Sequence, residues 1–153
     1  MDEENENELL LAEYLKLQDI IEDFDKRALT IKAWSVTLSA AGIVTSYTQG
    51  SAAILAVATV SAFFFWLVEG TWKVNQQCFY GRVWRIERSF RDHEPIVPLQ
   101  IATRWSSEYQ EKKSMLYLWR VLWWPHVALP HVMLVLLGAG LLLGFQPTPS
   151  AAN

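Results

Sequence analysis

Apolar and polar positions divide the chain into long segments of different character. No charged residue occurs in the 36 positions from Ala33 to Val68, and none follows Arg120. A membrane hydrocarbon core of about 30 Å is crossed by roughly 20 largely apolar helical residues. The uncharged stretch is too long for one crossing, and polar residues interrupt it around Thr48–Ser51. This pattern predicts two transmembrane helices joined by a turn.

Three transmembrane spans are predicted, and they differ in how strongly the sequence indicates each one. The first covers about 33–49 and contains six Ser or Thr residues, so a buried helix of a soluble protein stays open as an alternative for it. The second covers about 52–68 and has a stronger hydropathy signal. The third lies within 117–145 and is the clearest, because its 134–143 segment contains only Val, Leu, Gly and Ala.

A heptad pattern precedes the first span. Apolar residues recur there in alternating steps of four and three, which is the spacing of a seam along which helices pack. Charged residues such as Glu22 and Lys26 fall outside this seam, so the helix needs a packing partner, either within the chain or in another copy. The seam, a candidate stalk or oligomer contact, consists of Leu10, Tyr14, Leu17, Ile21, Phe24, Ala28 and Ile31.

Small residues continue the same helix face into the first span. At about 100° per residue they share one arc of the helix. Small residues in spans permit close helix packing, and their hydroxyl groups can also line a polar path in an oligomer. Packing is the commoner meaning, and both interpretations remain open for Ser35, Ser39, Gly42 and Ser46.

The periodicity predicts an all-α membrane protein with three transmembrane helices. The first two extend into a cytoplasmic helical-hairpin stalk, because apolar spacing continues past the second span until Pro95 and Pro98. In the third helical segment we expect Leu99, Ala102, Trp105 and Tyr109 to face inward and Lys112 and Lys113 to face outward. The predicted divisions are an acidic disordered segment at 1–8, the hairpin at 9–92, a cytoplasmic turn and amphipathic helix at 93–116, an interfacial segment with the third span at 117–145, and a flexible tail at 146–153.

Charge asymmetry predicts the orientation. Basic residues precede the first span, and nine Lys or Arg lie between Glu69 and Arg120, whereas the turn at Gly50 and the tail after Phe145 have none. The positive-inside rule therefore places the N-terminus in the cytoplasm and the C-terminus outside, in a bacterial inner membrane. Tryptophan is enriched at membrane interfaces. The candidate interfacial anchors are Trp34, Trp66, Trp72, Trp119, Trp123 and Trp124.

Few side chains point to chemistry within the spans. His126 and His131 are five residues apart, which does not suit a helical metal pair. We expect these imidazoles to bond backbone carbonyls freed by Pro130 or to lie at an interface, with proton sensing as an alternative. Glu69 and Arg120 stand at matching ends of two spans, which suggests an ion pair, unless both extend to water.

The sequence predicts no enzyme. It contains no phosphate-binding glycine loop and no serine elbow, and we expect no polar pair in the spans to perform acid-base work. The single cysteine, Cys78, excludes an intrachain disulfide and a cysteine zinc cluster. We therefore predict no catalytic residue, no metal, no cofactor and no nucleic-acid partner.

Residues 14–28 (YLKLQDIIEDFDKRA), followed by IKAWS at 31–35 and a two-span hairpin, resemble the SLATT-type small bacterial membrane effectors. The resemblance covers about residues 9 to 92 and rests on architecture. It implies an oligomeric effector of an antiphage defence system that forms or gates a pore, or disrupts the inner membrane, on a signal. The third span lies outside the resemblance and favours an alternative, a non-conducting anchor that recruits a soluble defence complex. The implied partners are the lipid bilayer, further copies of the chain, and a soluble defence protein or nucleotide-signal sensor.

Overall fold

The computed structural model describes residues 3–144, and the predicted tail at 146–153 lies outside them. Of the described residues, 89% are helical and none is in a strand. Three of the helices are long and apolar enough to cross a membrane, which confirms that part of the prediction. The helices are α1 (Glu3–Thr48), α2 (Ala52–Asp92), α3 (Ile101–Lys112), α4 (Met115–Leu122) and α5 (Pro125–Gly144).

Helices α1 and α2 meet at the turn that the sequence predicts. Gly50 has a φ of 62°, a conformation that glycine adopts without a Cβ clash. The amide of Ser51 then donates to the carbonyl of Ser46 at 2.9 Å, which satisfies the end of α1.

Helix α1 starts earlier than expected. Residues from Glu3 onward are helical, where we predicted a disordered segment at 1–8. Acidic side chains at a helix N-terminus interact favourably with the helix dipole, and Leu10 anchors the following turn by burial. The acidic run therefore extends the helix.

The chain forms two compact units. The first comprises Met1–Ala28 and Thr71–Trp119, and the second comprises Leu29–Gly70 and Arg120–Asn153. Helices α1 and α2 contribute to both units.

The core of the first unit joins α1 to α2. Leu10, Leu17 and Ile21 of the heptad seam pack with Val83 and Ile86 of α2, and all five side chains are buried. Burying such a side chain contributes about 1.5–3 kcal/mol. The predicted seam thus packs within the chain over these positions.

A buried ion pair holds the loop between α2 and α3 against both long helices. The Glu13 carboxylate accepts two bonds from the Arg82 guanidinium at 2.8 Å, and it also accepts the amides of Leu99 and Gln100. Burial alone raises the pKa of this carboxyl, but the Arg82 hydrogen bond, the two amides and the Arg82 charge together hold the pKa below its ordinary value. One carboxylate therefore links α1, α2 and the loop before α3.

The loop places Leu99 differently from our expectation. Leu99 has a φ of 62° and its side chain is 71% exposed, so the prediction that it faces inward is wrong. Its amide donates a hydrogen bond to the Glu13 carboxylate. This bond stabilises a backbone conformation that is strained for residues other than glycine. Ala102 is exposed as well, so its predicted inward direction is also wrong.

Trp105 on α3 does face α2, where its indole donates to the carbonyl of Asn75 at 3.2 Å, and the half-buried Tyr109 stacks on Trp105. Lys113 is exposed as predicted, whereas Lys112 is half-buried.

The third helical segment is divided. Helix α3 ends at Lys112, and α4 starts again at Met115, where the Ser114 hydroxyl accepts the amide of Leu116. Pro125 is the first residue of α5, the helix position at which proline is favoured, and Pro130 lies inside that helix. Pro125 thus separates α4 from the third apolar helix.

Replacing Glu13 tests the buried pair. Glu13→Gln leaves the Arg82 charge buried without its counter-charge, and we expect a loss of about 3 kcal/mol of stability. The melting temperature of the detergent-solubilised full chain should fall by roughly 6–12 °C, at about 2–4 °C per kcal/mol. The matched control is Asp92→Asn, which breaks the exposed Arg91–Asp92 pair and should leave the melting temperature unchanged.

The same pair predicts a pH dependence. The pKa of Glu13 is lower in the folded chain than its ordinary value of 4.5. Its contribution to the free energy of unfolding is therefore complete above pH 4.5 and is lost as the pH falls toward the pKa of the folded chain. The gap in melting temperature between the wild type and Glu13→Gln should therefore narrow below pH 4.5. If the difference in melting temperature stayed constant down to pH 3, the ionised Glu13 carboxylate could not be the source of the added stability.

Candidate functional site

The second unit consists of the apolar parts of α1 and α2 together with α5. Its interior contains small residues such as Ala58 and Ala62, which permit close approach of helix backbones. Its outer surface consists largely of bulky apolar side chains, including Val44, Val57, Phe64, Leu136 and Leu143. This distribution suits a bundle surrounded by lipid.

The small-residue stripe of α1 faces the interior of this unit. Ser35, Ser39 and Ser46 are buried. A Cβ added at Gly42 would lie 2.6 Å from the Cβ of Ala58, so α1 and α2 are in close contact there. All four stripe residues are thus covered, wholly or partly, within a single chain.

Two buried hydroxyls of the stripe differ in their hydrogen bonding. Ser46 Oγ donates to the carbonyl of Ile43 on its own helix at 2.6 Å. Ser39 Oγ is buried and has no hydrogen-bond partner among residues 3–144. An unsatisfied buried hydroxyl costs roughly 1–3 kcal/mol, so Ser39 is a weak point of the packed bundle.

A polar network connects three helices in this interior. Lys32 of α1 donates its ammonium to Glu69 Oε1 of α2. The other carboxylate oxygen, Oε2, lies 2.9 Å from His131 Nε2 of α5. His131 Nδ1 in turn lies 2.9 Å from Ser35 Oγ on α1. The chain of contacts starts and ends on α1 and passes through each of the other two helices.

The network is buried except at one end. Glu69, His131 and Ser35 have no exposed surface, whereas the Lys32 side chain is 21% exposed. Both oxygens of the Glu69 carboxylate, both ring nitrogens of His131 and the Ser35 hydroxyl therefore have a hydrogen-bond partner in this network, and the Lys32 ammonium forms its cationic end.

Two expectations about these side chains are wrong. Glu69 pairs with Lys32 and His131, whereas Arg120, the partner we considered, is exposed. His131 bonds two side chains instead of the backbone carbonyls near Pro130. Helical spacing within one segment cannot show that residues 62 and 96 positions apart meet, which is why the network was missed.

The order Ser35, His131, Glu69 has the composition of a serine–histidine–carboxylate triad. We expected no polar pair in the spans to perform acid-base work, and the sequence did not indicate that these three side chains meet. A nucleophile must reach its substrate, and Ser35 Oγ is fully buried between helices. The packed structure therefore presents a helix-to-helix connection at this position.

The heptad seam divides between the two units. Leu10, Leu17, Ile21 and Ala28 are buried in the first unit, and Tyr14 and Phe24 are half-buried there. Phe24 packs against Trp72, with ring centroids 4.7 Å apart. Ile31 belongs to the second unit and is half-buried.

The six candidate anchors, out of eight tryptophans, fall into two groups. In two of them the indole donates to a backbone carbonyl of another helix: Trp66 to Leu122 at 3.0 Å, and Trp72 to Phe24 at 3.2 Å. The others are exposed or half-buried, as an interfacial anchor requires: Trp34, Trp119, Trp123 and Trp124. Trp66 and Trp72 therefore have packing roles that the sequence pattern did not indicate.

Other chemistry is limited in the described part of the chain. Residues 3–144 contain no cluster of three or more His, Cys, Asp or Glu side chains that could hold a metal. Cys78 is buried and bonds the carbonyl of Val74, and burial raises the pKa of its thiol, which disfavours the reactive thiolate.

No protein-family model, curated protein or solved structure matches the chain.

A pair of glycine substitutions tests the packing of the stripe. Gly42→Leu inserts a side chain where α1 touches Ala58, and overpacking of this kind costs about 1–3 kcal/mol. Gly140→Leu on α5 is the matched control, because a Cβ there meets nothing within 4 Å. The melting temperature in detergent should fall for Gly42→Leu only. Equal stability of the two variants would contradict the close α1–α2 contact.

Proposed function

We propose that the chain is an oligomeric bacterial membrane effector of an antiphage defence system that forms or gates a pore, or disrupts the inner membrane, on a signal. In this proposal the three apolar helices cross the inner membrane, and α1 and α2 extend into a cytoplasmic helical-hairpin stalk that receives the signal. The network of Lys32, Glu69, His131 and Ser35 is the latch that keeps the resting bundle closed.

The observation that carries the proposal is the burial of ionisable groups at the ends of apolar helices. Such groups are costly near lipid, and where they occur they commonly serve conduction, proton transfer or switching. A simple anchor needs no buried carboxylate, because an apolar residue of similar size packs at lower cost. The latch also joins every helix of the unit, so its loss would free all three.

The sequence supports the rest of the proposal. The basic residues around 26–32 and 73–120 favour a cytoplasmic location of the stalk, and the resemblance to SLATT-type effectors supports a defence role. Under this proposal the signal comes from a soluble defence protein or a nucleotide-signal sensor that contacts the stalk.

A second candidate is a non-conducting membrane anchor or scaffold subunit that recruits a soluble defence complex. The observation that favours it is the inward direction of the small-residue stripe. Ser35, Ser39 and Ser46 are buried within one chain, so a conducting path requires the helices to move, whereas an anchor functions as it is packed.

Loss of the latch separates the two candidates. Glu69→Gln removes the charge that binds Lys32, and we expect cells of a bacterial host to lose membrane potential at an inducer concentration at least threefold lower than for the wild type. The readout is a voltage-sensitive dye. The matched control is Glu22→Gln, which breaks an exposed ion pair with Lys26 and should leave the dose response unchanged.

Folding of the latch variants is checked in the same cells. Lys32→Gln breaks the latch at its partly exposed end and should shift the dose response in the same direction, with both variants recovered from the membrane fraction. Normal potential at every expression level for the wild type and both variants would reject the effector and favour the anchor.

The orientation has its own test. In a Cys78→Ser background, Gln49→Cys at the turn should react with a membrane-impermeant maleimide in intact cells, and Gln18→Cys on α1 should react only after permeabilisation. Both glutamines are exposed on the chain, so accessibility to solvent does not distinguish them. Labelling of Gln18→Cys alone in intact cells would reverse the predicted topology.

A further inference from the structure

The packing of the seam leaves a different surface for self-association. Leu10, Leu17 and Ile21 are buried inside the first unit and are not available to another copy. One position further along α1, Leu11 and Leu15 point outward and are 53% and 56% exposed. An oligomer of packed chains therefore needs a surface other than the predicted seam.

These leucines belong to an apolar patch that extends onto α2. Leu11 and Phe90 both line two adjoining open grooves, of about 660 and 430 Å³. Phe90 is 45% exposed. Large apolar side chains grouped on a cytoplasmic surface commonly mark an interaction site. We call Leu11, Leu15 and Phe90 the apolar patch.

Charges of opposite sign flank the patch on its two helices. On α1 the first groove is bordered by Glu4 and Glu8, which are exposed. On α2 the exposed Arg91 follows Phe90 and lines the second groove together with Glu87, whose carboxylate accepts the hydroxyl of Tyr14 within the same chain. The only ion pair that the structure gives Arg91 within residues 3–144 is an exposed one with its neighbour Asp92, which is weak.

This charge arrangement fits a second copy of the same chain. Copies inserted in one membrane with the same orientation are related by rotation about the membrane normal. Such a rotation can set α1 of one copy beside α2 of the next, so that acidic and basic flanks meet at the same depth while the apolar patches are covered. A partner with charge of one sign would satisfy only one flank.

We propose that the apolar patch, with Glu4 and Glu8 facing Arg91 of the neighbour, is the contact through which the chain forms its oligomer. The proposal rests on the oligomeric effector proposed above and replaces the seam as its contact. Flanking charges of this kind fix register and partner choice more than affinity. The apolar patch supplies the affinity, aided by confinement of both copies to one membrane.

Charge reversal tests the contact. The full chain in detergent or lipid nanodiscs should have the mass of an oligomer by light scattering. Glu8→Arg and Arg91→Glu should each raise the dissociation constant at least tenfold, and the double variant should recover most of the affinity. Glu111→Arg is the matched control, because it reverses an exposed acidic residue on α3, away from the patch, and should not change the mass.

A cross-link provides a second measurement that does not depend on stability. In a Cys78→Ser background, Leu15→Cys copies should form an intermolecular disulfide under mild oxidation in membranes, and the added Glu8→Arg should reduce the yield severalfold. A monomeric wild type, an unchanged mass for Glu8→Arg, or failure of the double variant to recover would overturn the proposal. So would a soluble protein that binds the patch with equal stoichiometry and excludes a second copy.

The two proposals fail separately. Depolarisation by a chain whose mass is monomeric would overturn the patch contact and leave the effector standing. An oligomer sensitive to Glu8→Arg in cells of normal potential would support the contact and reject the effector.

Discussion

The second unit depends on how one carboxylate is neutralised between apolar helices. Glu69 is fully buried, and a charge in that position is tolerated only with a counter-charge and hydrogen bonds to its oxygens. Lys32 supplies the charge, and His131 occupies the second oxygen. Because the two partners come from α1 and α5, satisfying the carboxylate also fixes which helices are neighbours. The close contact of Gly42 with Ala58 and the burial of Ser35 are compatible with this arrangement of helices.

The first unit uses a second buried glutamate in a comparable way. Glu13 binds Arg82 of α2 and two amides of the loop before α3, so a single side chain joins three parts of the chain. The surroundings differ, because Glu13 bonds a guanidinium with both oxygens and also bonds backbone amides, whereas the partners of Glu69 within residues 3–144 are the side chains of Lys32 and His131. In each unit a buried carboxylate is satisfied by groups from separate segments, so losing one partner would leave an uncompensated buried group.

The sequence predicted the helices better than it predicted their contacts. Uncharged stretches, the break near Gly50 and heptad spacing are local signals, and they indicated the three long apolar helices. Local spacing also indicated that Leu17 and Ile21 lie on an apolar face, but it could not decide between a partner in the same chain and one in another copy. The meeting of Ser35 with His131 joins residues 96 positions apart, and no pattern within either helix signals it. The direction of Leu99 likewise depends on the distant Glu13.

The direction of the polar groups bears on how a bundle of this kind would conduct. With Ser35, Ser39 and Ser46 buried, the packed bundle presents a largely apolar outer surface. Under the proposed effector function a polar path would form only when helices separate or rotate. Separation would leave Glu69 and Lys32 unpaired unless water or another copy replaced the lost contacts, so the packed arrangement is the favoured one. Helices α1 and α2 run without interruption through both units, which gives a change in one helix pair a covalent route to the other. Under the same proposal Ser39, whose buried hydroxyl has no hydrogen-bond partner among residues 3–144, would gain a partner on hydration, and this would favour an opened bundle.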